Sequence, residues 1–251
     1  MKAFLLRRKW IILALAVLFA AGLTAFLLIW NGVILLNNPS KERYPVRGVD
    51  VSAYQGLIDW ETLAGQDISF AFIKATEGST FTDAFFAYNY EQAQKTHLRI
   101  GAYHFFSFDS PGKTQAKHYI ETVPKIDGML PPVIDVEFYG DKKSSPPAQE
   151  TVREQLSVMI GLLQEQYGCT PILYAAGDTY ERYLANHFPE CAIWIRGVYA
   201  APRLSDGRDW TFWQYTNRAT LDGYEGEERF IDLNVFSGTE EEFAQYAKEQ
   251  E

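Results

Sequence analysis

The pattern of apolar and polar positions divides the chain into two unlike parts. From Trp10 to Trp30 there is no charged residue, and nearly every position is apolar. Beyond residue 45, short apolar runs rich in β-branched and aromatic residues alternate with longer stretches of helical periodicity. The runs VRGVDV (46–51), SFAFIKA (69–75), RIGAYHFF (99–106), PVIDVE (132–137), PILYA (171–175), AIWIR (192–196), WTFWQY (210–215) and FIDLNV (230–235) read as strands. Helices are expected near 59–65, 83–96, 112–123, 148–167 and 178–187. The last strands are joined by segments too short and too rich in Gly, Asp and Pro for full helices. Alternating strand and helix argues for a parallel sheet, and eight strands argue for closure. The expected fold is α/β: a TIM-like (β/α)5(β)3 barrel with a helix-poor final third, preceded by one transmembrane helix.

The N-terminal run has 21 residues, which as a helix span roughly 31 Å, about the hydrocarbon thickness of a bilayer. Lys2, Arg7, Arg8 and Lys9 precede it, and Trp10 and Trp30 lie where interfacial aromatics lie. A cleaved signal peptide shares the basic start, and Ala20, Ala21 and Gly22 offer a processing site. A signal's apolar core is about 7 to 15 residues, however, and this run continues to Trp30. It is read as an uncleaved single-pass anchor in a bacterial cell membrane, with a cytoplasmic N-terminus and an exported domain; a cleaved, secreted form is the alternative. The organisation read from the sequence is a basic segment (1–9), a span (10–30), a linker (31–45), a barrel (46–237) and an acidic helix or tail (238–251).

Charge narrows the partners. Beyond residue 43 there are 17 basic against 31 acidic residues, a net charge near −14. Nucleic acid is excluded as a partner, because phosphate binding needs clustered Lys and Arg. Cys169 and Cys191 each precede a strand; in an exported protein they suggest a disulfide, with two buried free thiols as the alternative. No His or Cys pair has ligand spacing on a helix, so neither a metal nor a cofactor is expected. There is no G-x-S-x-G motif.

The candidate chemistry lies in PPVIDVE. Residues i and i+2 of a strand share a face, so Asp135 and Glu137 are neighbours, about 6 to 7 Å apart at Cα. Carboxylates in a buried strand are costly unless they serve a site. Asp50 ends the first strand and Asp232 lies on the eighth, beside the first in a closed barrel, so all four acids converge on one mouth. Glycosidic cleavage needs such a pair, one carboxyl protonated for the leaving oxygen and one stabilising the developing cation. Like charges in one pocket keep one of them protonated. Tyr54, Tyr103, Phe105, Trp194, Trp213 and Tyr215 lie at or near strand ends where sugar rings can stack, although for any one of them alone core packing is the reading taken. Lys74, Thr76, Glu77 and His104 are weaker candidates, equally suited to capping or core hydrogen bonding.

The segments RGVDVSAYQGLIDW, FAFIKATEG, GAYHFF, PPVIDVE, WIRGVY, WTFWQYT and IDLNVF, in this order over 46–237, resemble the family 25 glycoside hydrolases, N-acetylmuramidases (lysozymes) that cut peptidoglycan. The resemblance implies a barrel of five helices with three helix-free final strands, Glu137 as general acid/base and Asp135 as the acid that orients the substrate's N-acetyl group. It further implies Asp50 and Asp232 as supporting acids, and Tyr54, Tyr103, Tyr174, Trp194, Trp213 and Gln214 as substrate contacts. The implied partner is the peptidoglycan glycan strand, cut between N-acetylmuramic acid and N-acetylglucosamine with retention. The end of strand five departs from the family's pattern, with Ala176 and Gly177 after Tyr174. Two other readings exist. A chitinase-like barrel also ends a fourth strand in D-x-E, but places another Asp where this chain has Val133. An inactive, anchored wall-binding module would have no reason to keep four buried acids.

The full-length protein is expected in the membrane fraction, with its C-terminal domain open to protease added outside. A soluble product starting between residues 23 and 40 would establish the cleaved form instead.

Overall fold

The computed structural model describes residues 2–248; Met1 and the last three residues of the acidic tail lie outside it. The chain forms two units, 1–36 and 37–251. In the first, α1 (Lys2–Trp30) is one continuous helix whose stretch Arg7–Trp30 is long and apolar enough to cross a membrane. It ends in a turn in which Gly32 takes a positive φ of 71° and Val33 N donates to Leu28 O at 2.9 Å, closing carbonyls that the helix leaves open.

The second unit is a closed barrel. Its strands are β1 (Arg47–Val51), β2 (Phe70–Glu77), β4 (Arg99–Phe105), β5 (Val133–Val136), β6 (Ile172–Ala176), β7 (Ile193–Arg196), β8 (Phe212–Ala219) and β9 (Ile231–Phe236), with a two-residue β3 (Phe81–Thr82) hairpinned onto β2. The order around the barrel is β1-β9-β8-β7-β6-β5-β4-β2, closed by β1 against β2. Helices α2 (Trp60–Ala64), α3 (Phe86–Ala93), α4 (Gly112–Thr122), α5 (Gln149–Tyr167) and α6 (Gly177–Thr179), which continues into a wide turn over Tyr180–Leu184, follow the earlier strands. Eight strands and five helices thus appear where the apolar runs place them.

One strand departs from the parallel expectation. β9 runs antiparallel to both β8 and β1, because the β8–β9 connection carries no crossover helix to bring the chain back to the other end. Asp232 therefore reaches the mouth from the start of β9, not from its end, and pairs across from Asp50.

The side-chain period of two sets the lumen. Its lower part is apolar and aromatic: Phe70, Phe72, Val133, Ile172, Trp194, Phe212 and Phe236 form one buried cluster, with Phe72 stacked on Trp194 at 4.6 Å. Gly101 makes room for this plug, since a Cβ there would stand 2.6 Å from the Phe72 ring. From below, α7 (Glu240–Lys248) inserts Phe243 against Phe70 and Phe236 at 5.6 and 5.3 Å. The acidic C-terminal segment is thus amphipathic and closes the barrel floor. Outside, Ile73, Ala102, Ile134 and Leu173 pack with Tyr119, Leu156, Met159 and Leu163 of α4 and α5. Residues 37–45 also belong to this unit: Tyr44 is buried beside Trp210 and Trp213.

Cys169 and Cys191 are free and buried. Although β6 and β7 are parallel neighbours, Leu173 pairs with Ile193, so the two cysteines stand two residues out of step. Burial raises both thiols, Cys191 to about 12, and a thiol rather than a thiolate is slow to react. Ellman's reagent at pH 8 is expected to find almost no reactive thiol in the native protein and two after denaturation.

Candidate active site

Along each strand the lumen-facing residues turn polar toward the mouth. On β5 and the residue that follows it, Val133, Asp135 and Glu137 go from buried plug to rim; on β2 it is Phe72 then Lys74, on β4 Gly101 then Tyr103, and on β9 Phe236, Asn234 and Asp232. These residues line a cavity of about 210 Å³ holding Asp50, Asp135, Glu137 and Asp232 together with Tyr54, Tyr103, Tyr174, Trp194 and Gln214. A larger open groove of about 770 Å³, bounded by Asp59, Trp60, Tyr88 and His97 outside the barrel, contains none of them.

The floor of the site is one hydrogen-bonded network. Gln214 Nε2 donates to Asp50 Oδ2 and to Asp232 Oδ2, both at 2.9 Å, and its Oε1 accepts from the Tyr174 hydroxyl at 3.0 Å. Asn234 Nδ2 donates to the same oxygen of Asp50 at 2.7 Å, while Asn234 Oδ1 accepts from Trp194 Nε1 at 2.8 Å. Two amides thus fix two carboxyls, and two aromatic donors fix the amides.

The four acids are electrostatically uneven. Burial pushes Asp50 up to about 6, against the hydrogen bonds from Asn234 and Gln214 and the charge of Arg196. Burial, then the charge of Asp50, raises Asp232 well above the carboxylate range. Asp135 is raised well above it by burial and by Glu137, with Lys74 opposing. Glu137 is raised by burial, with Arg196 opposing. The Oδ1 of Asp135 is buried without a hydrogen-bond partner, an arrangement that costs about 1 to 3 kcal/mol.

Two expected aromatic contacts are not brought to the site. Phe212 and Gln214 face the lumen, so Trp213 between them faces out; it packs on Trp210 at 5.6 Å and donates from Nε1 to Gly197 O at 3.0 Å. Tyr215 is outward for the same reason and meets Arg47. His104 and Thr76 are also outside the cavity: His104 accepts from Thr76 and donates to Gln115, at 2.7 and 2.9 Å, tying β4 to α4. Its burial lowers its pKa to about 4, so it stays neutral. Lys74 does line the cavity, paired with Glu77 at 2.8 Å.

Asn234 and Arg196 are functional neighbours absent from the sequence reading, although each lies two residues from a residue in it, Asp232 and Trp194, and the strand period places them on the same face. Glu228, on the β8–β9 loop, also lines the cavity; no local signal marks it, because it is held there by its backbone bond to Tyr54 O at 3.0 Å. Among the described residues no cluster of three or more His, Cys, Asp and Glu is arranged for a metal.

A carboxyl whose folded pKa is raised costs stability once pH exceeds its unfolded value. For Asp50 that cost begins near pH 4 and is fully developed above about pH 6. Asp50→Asn keeps an acceptor for both amides, so it is expected to stabilise the fold by roughly 1 to 3 kcal/mol at pH 7 and hardly at all at pH 3. Denaturant melts at the two pH values check this; equal effects at both would mean Asp50 is ionised without penalty.

The model of the family described as glycosyl hydrolases family 25 matches residues 49–224. The uncharacterized protein YegX of Escherichia coli strain K12 is 35% identical over 204 residues, which are 79% of this chain and 72% of that protein. Among solved structures, a family 25 glycosyl hydrolase from Bacillus anthracis is 56% identical with a TM-score of 0.80, covering 84% of this chain and 97% of that one. The bacterial lysozyme from Streptomyces coelicolor is 26% identical with a TM-score of 0.74, covering 82% and 98%. With the match spanning the strands that carry Asp50, Asp135, Glu137 and Gln214, this chain belongs to family 25 of the glycosyl hydrolases.

Proposed function

We propose that this chain is a peptidoglycan muramidase, an enzyme that hydrolyses the β-1,4 bond between N-acetylmuramic acid and N-acetylglucosamine with retention, held to a membrane by its N-terminal helix. The relatives with named activities include Lysozyme M1 of Streptomyces globisporus, 29% identical over 208 residues, 77% of this chain and 68% of that one. The observation that carries the mechanism is the pairing of Asp135 and Glu137 in the wall of the cavity, both raised by burial. An acetamido N–H entering the cavity is a donor from which the Asp135 carboxyl can accept.

Burial and the charge of Glu137 favour a proton on Asp135. An N–H donated by the substrate stabilises the ionised form of Asp135 and lowers its pKa, so the proton on the pair then favours Glu137, itself raised by burial. The pair then has the required distribution. Protonated Glu137 supplies the leaving oxygen, while ionised Asp135 orients the acetamido group, whose carbonyl oxygen attacks the anomeric carbon as the glycosidic bond breaks. Glu137, now ionised, takes a proton from the water that opens the resulting ring. Asp50, pinned by Gln214 and Asn234 and ionised above about pH 6, supplies negative potential beneath the developing positive charge, and Asp232, held by the same Gln214, completes the floor. Tyr54, more than half exposed at the rim, offers a ring face for a neighbouring sugar. At the position where chitinase-like barrels add a third acid, Val133 is fully buried in the apolar plug.

Glu137→Gln keeps shape but cannot donate a carboxylic proton, so kcat should fall about 10²- to 10⁴-fold with glycan binding retained. Asp135→Asn should be similarly impaired. Mass and NMR analysis of the digest should show a muramic-acid reducing end formed first as the β-anomer. Near-normal cleavage by Glu137→Gln would remove the assignment, and an α-anomer would remove the acetamido-assisted route. Because Glu137 must keep its proton and its pKa is raised, kcat/KM is expected to hold above the usual carboxylate range and fall as pH rises further.

A further inference from the structure

The mouth of the barrel carries a cation that the fold itself does not use. Arg196, the last residue of β7, pairs with Ala176 of β6 on one side and with Gln214 of β8 on the other. Partners on neighbouring strands share a face, so Arg196 faces the lumen with Gln214, one step above Trp194. Arg99, Arg153 and Arg208 of the same unit donate to backbone carbonyls. Arg196 does not. Among the described residues its half-buried side chain makes no hydrogen bond and no ion pair, and it acts only through space on Asp50, Glu137 and Asp232. A guanidinium with all its N–H donors open therefore stands at the rim of the catalytic cavity.

The place beside it is open by sequence. Glu137 follows Val136, whose partner on β6 is Ala175, so Glu137 and Arg196 stand on either side of Ala176, two strand spacings or about 10 Å apart at the backbone. Ala176 puts only a methyl group between them, and a Cβ at Gly177, the next residue, would meet nothing within 4 Å. The acids below leave the charge of Arg196 only partly offset, since burial favours protons on Asp135 and Asp232. A free planar fork selects a carboxylate, whose two oxygens match two parallel N–H donors.

We infer that Arg196 binds a carboxylate of the substrate, carried on the O3 substituent of the muramyl residue whose anomeric carbon Glu137 serves. This deepens the muramidase reading and rests on it. A substituent on O3 lies within one sugar ring of the bond being cut, which is the scale of the gap over Ala176. The carboxylate is that of the lactyl group itself on strand without peptide, or one on the stem peptide where the lactyl group is amide-linked. A strand of N-acetylglucosamine alone offers neither, so Arg196 separates muramyl glycan from chitin-like glycan.

The test measures KM and kcat for the detergent-solubilised full chain on two pairs of soluble glycans. One pair is peptide-free strand and the same strand with its lactyl carboxyls converted to methylamides; the other is peptide-bearing strand and that strand with its peptide carboxyls amidated. Within at least one pair, neutralising the carboxyl should raise KM roughly 10- to 100-fold, and the pair that responds identifies the source. Arg196→Gln should remove the difference, whereas Arg196→Lys, which keeps the charge without the fork, should retain part of it. The ratio within a pair is read because loss of Arg196 also alters Glu137, which affects both members alike. Equal KM within both pairs for the unaltered chain would overturn the inference without any variant, and so would a ratio that survives Arg196→Gln. If the unaltered chain cuts none of the glycans, the muramidase reading itself fails and the inference falls with it.

Discussion

Four carboxyl groups share one small, mostly buried cavity, and their mutual repulsion in a poor dielectric is the constraint around which the domain is arranged. They cannot all be ionised together, so the site must hold protons, and holding protons near neutrality is what an acid catalyst needs. Arg196 and Lys74 offset part of the negative charge, while Gln214 and Asn234 fix two of the acids with hydrogen bonds. Asp135 is left unsatisfied among these groups. A fold that served stability alone would not retain this combination.

The barrel makes the arrangement possible by separating its two ends. Aromatic rings fill the lower lumen and α7 closes it from below, which excludes water beneath the acids and raises their pKa values. At the mouth the same strands present polar residues at the next lumen-facing positions. Polarity thus changes within two residues along β2, β5 and β9, and Asp50, Lys74, Tyr103, Asp135 and Asp232 are held in place because each stands on a strand that is hydrogen-bonded on both sides. The antiparallel course of β9 is part of this economy. It delivers Asp232 and Asn234 beside Asp50 without a crossover helix.

The sequence by itself determined the features that depend on local periodicity: the long apolar N-terminal helix, eight strands, five intervening helices, and the placing of Asp135 and Glu137 on one face. Those follow from the period of two in strands, from Gly and Pro breaks and from run length, all properties of neighbours in the chain. It also placed Asp50 and Asp232 together, because closure makes the first and last strands neighbours. What only the tertiary structure decided depends on partners distant in sequence. The direction of β9 was open because an antiparallel strand has the same side-chain alternation as a parallel one. Trp213 and Gln214 were indistinguishable until the register with β7 and β9 fixed which of them faced the lumen. The cysteines stayed thiols because a two-residue offset between β6 and β7 is set by pairing rather than by spacing. The pinning of Asp50 by Asn234, 184 positions away, and the unsatisfied oxygen of Asp135 emerged only on closure, since hydrogen bonding and desolvation depend on everything that surrounds a group, and that is known only when the barrel is complete.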